Sequence, residues 1–211
     1  MPIRNVQELR DHIALAVEVE LTTIPQYLYA LYSIEDQQSE SALLIRSIVA
    51  EEMLHVSLAA NLLVAVGGEP CFAEASIVPI YPGPLPHHIP PLMLNLAPCS
   101  DALVRETFMA IERPEPRDAL PEEDQFETLG QFYQALELAI DRLGESEDLF
   151  TNPQRDRQMA DPAFYEPVAF DAEDSGGLML IEDAASADAA IEIIVHQGEG
   201  MSDGRTRATR S

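Results

Sequence analysis

The sequence contains no lysine and only two cysteines, and each shortage excludes certain kinds of reactive or structural site. All twelve basic residues are arginines, so a lysine nucleophile or a lysine Schiff base is excluded. Cys71 and Cys99 are too few for a disulfide framework, and they lack the spacing of a zinc site. We therefore predict two thiols without a disulfide, in a reducing and cytoplasmic environment.

Positive charge is also scarce, and the formal net charge is −25 at pH 7. So acidic a chain argues against nucleic acids and anionic membranes as partners. The N-terminal stretch MPIRNVQELRDHI is too polar for a signal peptide, and we expect no apolar run of membrane-spanning length. The expected partner is a small-molecule substrate, and association of identical chains into a homo-oligomer is left open.

The strongest chemical signal is Glu-Glu-Met-Leu-His at residues 51–55, inside a long apolar run. On a helix, Glu52 and His55 share the apolar face, whereas Glu51 falls about 100° away and can reach water. Burying a carboxylate and an imidazole is costly unless charged or hydrogen-bonding groups meet them. A metal ion would meet that need, and Glu-x-x-His is the spacing of carboxylate four-helix proteins. A Glu–His hydrogen bond without metal is the structural alternative.

A second buried acid is predicted in the first helix, which we expect over residues 6–34 with Asn5 as its N-cap. Glu20 is the one acid at the centre of the apolar ladder, and the alternative to a ligand role is pairing with arginine. Pro25 removes one backbone hydrogen bond, so a kink is expected nearby. Tyr27 lies on the face of Glu20, where it would bond a ligand, be oxidised, or simply belong to the core.

The remaining sequence predicts further helices separated by two irregular stretches. We expect a single domain over residues 1–200, followed by a flexible tail at 201–211. Glu137 lies at the edge of the third long helix's apolar stripe, about 80° from its centre. His87 and His88, in the proline-rich crossover, are expected to be exposed rather than metal ligands. The predicted segments are a second helix from Glu40 to Val66, a crossover at 69–98, a short helix at 101–111, a third helix from Pro121 to Leu143, an irregular connection at 144–184, and a last helix from Ser186.

Several stretches resemble a known family: AVEVELTTIPQYLYALYSI, IVAEEMLHVSLAANLLVAVGGEP, FMAIERPE, TLGQFYQAL and AIEIIVHQGEG. Their order is similar to that in the ferritin-like domain of iminophenylpyruvate dimer synthase. The resemblance implies an all-α, ferritin-like four-helix bundle with a long crossover, holding two iron ions, or manganese, at a carboxylate centre. It places metal at Glu20, Glu52 and His55, and at Glu199 as the acid of the fourth helix. Glu137 is our assignment for the third helix.

The C-terminal end departs from the family pattern, in which the fourth helix continues and supplies a second imidazole. No histidine follows His196 in this sequence. The site has lost a ligand, the gene is truncated, or His196 substitutes, since His196 and Glu199 would share a face if the helix persists. Gly198 and Gly200 disfavour that persistence.

These features together predict a metal-dependent oxidoreductase. By resemblance, it would act with dioxygen or peroxide on a small amino-acid-derived or indolic compound in secondary metabolism. The alternative is a non-catalytic ferritin-like module, metal-binding or structural, whose site is incomplete. Because a fold does not determine function, the substrate rests on the resemblance alone.

Overall fold

Four long helices form the bundle of this computed structural model, which describes residues 3–73, 77–114, 116, 120–122, 124–165 and 176–198. They pack in a ring in which each helix contacts two others: α1 with α2 and α5, and α6 with α2 and α5. The bundle helices are α1 (Val6–Tyr32), α2 (Glu40–Ala65), α5 (Leu129–Gly144) and α6 (Ala184–Gly198). The predicted all-α four-helix bundle is confirmed.

Local sequence signals determine where the first two helices begin and end. The side chain of Asn5 accepts a hydrogen bond from the N–H of Glu8 at 2.9 Å, as its predicted capping role requires. At the end of α2, Gly67 adopts φ +78°, a left-handed conformation that glycine reaches without strain. The N–H of Gly68 then bonds to the carbonyl of Leu63 at 2.8 Å, closing the helix.

Pro25 lies within α1, but the helix continues past it to Tyr32. Proline cannot donate a backbone hydrogen bond, so carbonyl groups one turn earlier need other partners. The hydroxyls of Thr22 and Thr23 donate to carbonyl oxygens of the preceding turn, each at 2.7 Å. The hydroxyl of Tyr81, from the crossover, donates to the Thr22 carbonyl at 2.5 Å. Side chains and the crossover thus stabilise the helix beside Glu20.

The third bundle helix begins at Leu129, so the predicted start at Pro121 is wrong. The segment before it pairs with the crossover instead. The N–H of Phe126 donates to the carbonyl of His87 at 3.1 Å, and its carbonyl accepts from Ile89 at 2.8 Å. Phe126 is also fully buried, so tertiary pairing outweighs the proline signal that suggested a helix start.

The connections contain a few short elements. In the crossover, β1 (Gly83–Pro84) pairs antiparallel with β2 (Met93–Leu94). The segment at 101–111 is helical as predicted, but in three pieces. These are α3 (Asp101–Leu103), a π-helical turn (Val104–Phe108) and α4 (Met109–Ile111). Helix α6 begins two residues before the predicted Ser186, because Asp183 accepts a hydrogen bond from the Ser186 N–H at 2.8 Å.

Helix α2 is long and apolar enough, by length and composition, to cross a bilayer, so the expectation of no such run is wrong. In the fold, however, 67% of its most apolar window is buried against other parts of the chain. The hydropathy of α2 is accordingly that of a core helix, whose buried positions include Leu54, Leu58 and Leu62.

Candidate metal centre

Glu20 of α1 and Glu52 and His55 of α2 converge inside the bundle. One ligand atom from each of the three lies within 4.8 Å of the others. All three are buried among the apolar side chains of the core. The three donor atoms are close enough together for one metal ion to bind all of them. The three residues that the motifs singled out are therefore brought together.

The imidazole of His55 is oriented by α6. Its Nε2 lies 2.9 Å from Oε1 of Gln197, and an amide oxygen only accepts, so Nε2 carries the proton. In the neutral ring, Nδ1 then directs a lone pair towards Oε2 of Glu20 at 3.6 Å. Two acceptors that face each other need a cation between them, either a proton or a metal. Metal-bound histidines are usually oriented through the second ring nitrogen in this way.

A fourth acid, Glu112, lines the same cavity, although sequence reasoning did not select it. Glu112 comes directly after α4, which itself follows the π-helical turn, and such turns are frequent at functional sites. Its Oε1 accepts a hydrogen bond from the hydroxyl of Tyr27 at 2.5 Å. Tyr27 is fully buried, so its hydroxyl holds Glu112 against the face of α1 that carries Glu20.

The signal that would have found Glu112 is its spacing. It comes four residues after Phe108, which is buried, so both lie on one face of a helical segment. The same criterion, an acid on an apolar stripe, selected Glu20 and Glu52. The motif FMAIERPE contains Glu112, directly after the predicted short helix at 101–111.

Hydroxyl groups contact the two central carboxylates. Tyr133 of α5 donates to Oε1 of Glu20 at 2.6 Å. The Thr23 hydroxyl lies 2.5 Å from Oε2 of Glu52 and 2.7 Å from the carbonyl of Glu20. Each of the two central carboxylates thus has a hydroxyl group that donates to it and holds its orientation.

Burial and repulsion alter the acidity of the cluster. Desolvation, with the charges of Glu112 and Glu20, raises the pKa of Glu52 well above 4.5. Desolvation of its carboxyl raises the pKa of Glu112 to about 7. Burial disfavours the charged form of His55, but the contact with Glu20 outweighs it and raises the pKa of His55. The cluster thus retains protons near neutral pH, and the donor set fits a metal ion that would take their place.

The cavity between these side chains has a volume of about 20 Å³. A volume of about 10–15 Å³ already holds one water molecule. Pockets for organic ligands are far larger, about 300–1,000 Å³. The cavity can therefore take an ion or a diatomic molecule, but not an amino-acid-sized compound. Arg113 lies at its rim, paired with Glu127 at 2.5 Å.

The remaining predicted site residues lie elsewhere. Glu137 is half-buried on α5, one turn beyond Tyr133, and is not among the residues that line the cavity. His196 is exposed, and its neighbour Gln197 contacts His55 instead. Glu199 lies outside the described residues, so its ligand role stays a prediction. Cys71 and Cys99 form no disulfide with each other, as expected.

Comparison with known proteins agrees with this architecture. A family model described as Ferritin-like matches residues 13–209. The crystal structure of a ferritin-like protein from Caulobacter vibrioides is similar, with a TM-score of 0.74 and 30% sequence identity. That similarity covers 95% of this chain and 69% of the other. No curated protein matches the sequence.

Proposed function

The chain belongs to the ferritin-like family, and on that premise we propose that it is a metal-dependent oxidoreductase. The observation that carries the proposal is the convergence of Glu20, Glu52 and His55 from two helices in a buried space. Glu112 would complete the donor set from a third direction. Oxygen and nitrogen donors without cysteine suit iron or manganese.

The contacts assign a task to each side chain. Glu20 and Glu52 would supply carboxylate oxygens, and His55 would supply Nδ1, because Gln197 holds the proton on Nε2. Tyr27 keeps its proton, since burial raises the pKa of its hydroxyl further above 10. Iron or manganese bound there would contribute redox chemistry with dioxygen or peroxide, in keeping with the small volume of the cavity.

An organic substrate would have to approach at the rim rather than enter the cavity. Arg113 is the positively charged residue there, and a guanidinium group suits a carboxylate of the substrate. This supports a small amino-acid-derived acid over a neutral indole, both of which the sequence motifs suggested. Secondary metabolism, a cytoplasmic location and homo-oligomerisation stay predictions.

Metal content of the full chain tests the proposal. After anaerobic loading with ferrous iron, followed by desalting, we expect one metal ion per chain at Glu20, Glu52 and His55, and a second where Glu112 completes a dinuclear site of the ferritin-like type. Glu52→Gln should lose most of this metal, whereas Glu51→Gln should retain it, because Glu51 is half-buried and is not among the residues that line the cavity. When air is admitted, the unsubstituted protein and Glu51→Gln should consume oxygen, whereas Glu52→Gln should not. Metal content that is equal in the two variants would overturn the proposed centre.

A non-catalytic metal-binding module is the second candidate, and the small cavity is the observation that favours it. Such a module would bind iron but would not increase the rate of oxygen consumption above that of iron in buffer. Organic carboxylic acids would then leave oxygen consumption unchanged. Acceleration of oxygen consumption by an amino-acid-derived acid, lost in Arg113→Gln, would instead support the enzyme.

A further inference from the structure

A second cluster of histidine and carboxylate side chains lies outside the bundle centre. It surrounds a cleft of about 470 Å³ between α1, the crossover and the segment before α5. His12 comes from α1, His87 and Cys71 from the crossover, and Asp124 from the segment before α5. Asp11 and Glu18 also line it, so three carboxylates and two imidazoles border the cleft, with no arginine among its lining residues.

Both imidazoles are held in one tautomer by backbone carbonyls. Nδ1 of His12 lies 2.7 Å from the carbonyl oxygen of Glu8, and Nδ1 of His87 lies 2.7 Å from that of Asp124. A carbonyl oxygen only accepts, so each Nδ1 carries a proton. In a neutral ring, Nε2 is then the atom with the lone pair. This backbone bond to one nitrogen is the usual support of a histidine that binds metal through the other.

The spacing of His12 and Asp124 fits a shared ion better than a hydrogen bond. Nε2 of His12 lies 3.6 Å from Oδ1 of Asp124, beyond the usual length of an N–H···O hydrogen bond of about 2.7–3.2 Å. Two ligands on one zinc-sized ion, with bonds of about 2.1 Å, are about 3.0–3.4 Å apart. A few tenths of an ångström of movement would therefore bring both atoms onto one ion.

The backbone holds His87 in place at some conformational cost. His87 has φ +61°, in the left-handed region that residues other than glycine seldom occupy. Its carbonyl accepts from Phe126, and its ring donates to Asp124, so two bonds connect it to the segment before α5. Such backbone conformations persist where the surroundings impose them, often at ligand sites.

We propose that the cleft is a second metal site, which takes a divalent ion of the zinc, nickel or copper class through Nε2 of His12, Nε2 of His87 and the carboxylate of Asp124. Two imidazoles and a carboxylate are the donors that such ions prefer, and a fourth position is left for water or the Cys71 thiol. The three ligands come from three chain segments, so the ion connects the crossover to α1.

The donors of the cleft are spread more widely than those of the bundle centre, whose ligand atoms all lie within 4.8 Å. Binding therefore requires side-chain rotation. The side chain of Asp124 is 70% exposed, so it can rotate with little steric resistance while the ring of His87 keeps its bond to the Asp124 carbonyl. The ion would draw the two segments together, and it should stabilise the folded chain by an amount that grows with the logarithm of its concentration above the dissociation constant.

Equilibrium dialysis of the full chain against Zn²⁺ tests the site. His12→Gln and His87→Gln should each bind about one Zn²⁺ fewer per chain than the unsubstituted protein, with an affinity at that site weakened by about tenfold or more. His88→Gln is the matched control, because His88 adjoins His87 but bonds its ring to the Pro90 carbonyl outside the cleft. It should bind as the unsubstituted protein does.

His55→Gln distinguishes the two sites. It removes a ligand of the bundle centre and should leave the ion in the cleft in place. Electron paramagnetic resonance of bound Cu²⁺ in that variant should show two imidazole nitrogens, and only one after His12→Gln is added. Equal Zn²⁺ binding by the His12, His87 and His88 variants would overturn the proposal. The contact of His12 with Asp124 would then be an ion pair bridged by a proton.

Discussion

Two histidines of this protein face a carboxylate across the same distance in opposite environments. A ring nitrogen of His55 lies 3.6 Å from Glu20, and one of His12 lies 3.6 Å from Asp124. The first pair is 3% and 2% exposed, and the second is 16% and 70% exposed. Water screens the charges in the cleft, whereas inside the bundle only neighbouring groups or a bound cation can balance them. The same separation between imidazole and carboxylate should therefore contribute more to the free energy of unfolding inside the bundle than in the cleft.

The largest expected difference concerns the two imidazoles. In metal-free protein at pH 7, His55→Ala should lower the free energy of unfolding by about 3–5 kcal/mol, because Glu20 becomes a buried carboxylate without a cation. His12→Ala should cost less than about 1 kcal/mol, because Asp124 remains hydrated. Urea unfolding in the presence of a chelator measures both. Similar losses in the two variants would mean that burial does not distinguish the pairs.

The next prediction decides which acid completes the buried centre. Glu112→Gln should weaken metal binding by about 10–100-fold, since it removes a donor but keeps the shape of the side chain. Glu137→Gln should change the affinity less than about twofold, within ordinary measurement scatter, because Glu137 does not line the cavity. Competition with a coloured chelator gives both affinities. A larger loss for Glu137→Gln would restore our sequence-based assignment.

The pH dependence of the free energy of unfolding should report the protons held by the buried bundle centre. The pKa of Glu112 is raised from 4.5 to about 7, so the folded state holds a proton that the unfolded state has lost. The free energy of unfolding of metal-free protein should therefore fall as pH rises from 4.5 towards 7. The raised pKa values of Glu52 and His55 act in the same direction.

Metal affinity should show the opposite trend and increase with pH, because the ligands must lose their protons. Chemical denaturation between pH 4.5 and 8, with chelator and with iron, records both trends. Glu112→Gln should flatten the metal-free curve, and an unchanged slope in that variant would assign the titration to other groups.

The smallest effect is expected in the cleft. Asp124→Asn should change the stability of metal-free protein by about 0.5 kcal/mol or less, because exposed ion pairs contribute little. Any difference from the unsubstituted protein should vanish in about 1 M salt, where the screening length is about 3 Å. Thermal unfolding at low and high salt measures this. A difference that persists at high salt would indicate that the contact is less hydrated than its exposure implies.

Sequence periodicity located the helices of the bundle because each has an apolar stripe of its own. It also selected Glu20, Glu52 and His55, because polar side chains within such a stripe must point inward. The start of α5 was misjudged at Pro121. The residues before Leu129 bond to the crossover, a contact distant in sequence that no local pattern reports.

Glu112 was missed for a related reason. Its segment is too short to suggest a bundle helix, and its inward aim depends on a hydrogen bond from Tyr27, 85 residues away along the chain. The acid chosen instead, Glu137, lay on a regular helix at the edge of an apolar stripe. Periodicity favours long helices, whereas donors on short segments become visible only in three dimensions.

The sequence by itself determined the helical bundle and three converging donors, because both follow from the period of one helix and from the cost of burying charge. Only the tertiary structure decided the fourth acid, the proton-bearing nitrogen of His55, and the meeting of His12 with the crossover. Each of these depends on distances between segments far apart in the chain. Such distances are set by the packing of the whole domain.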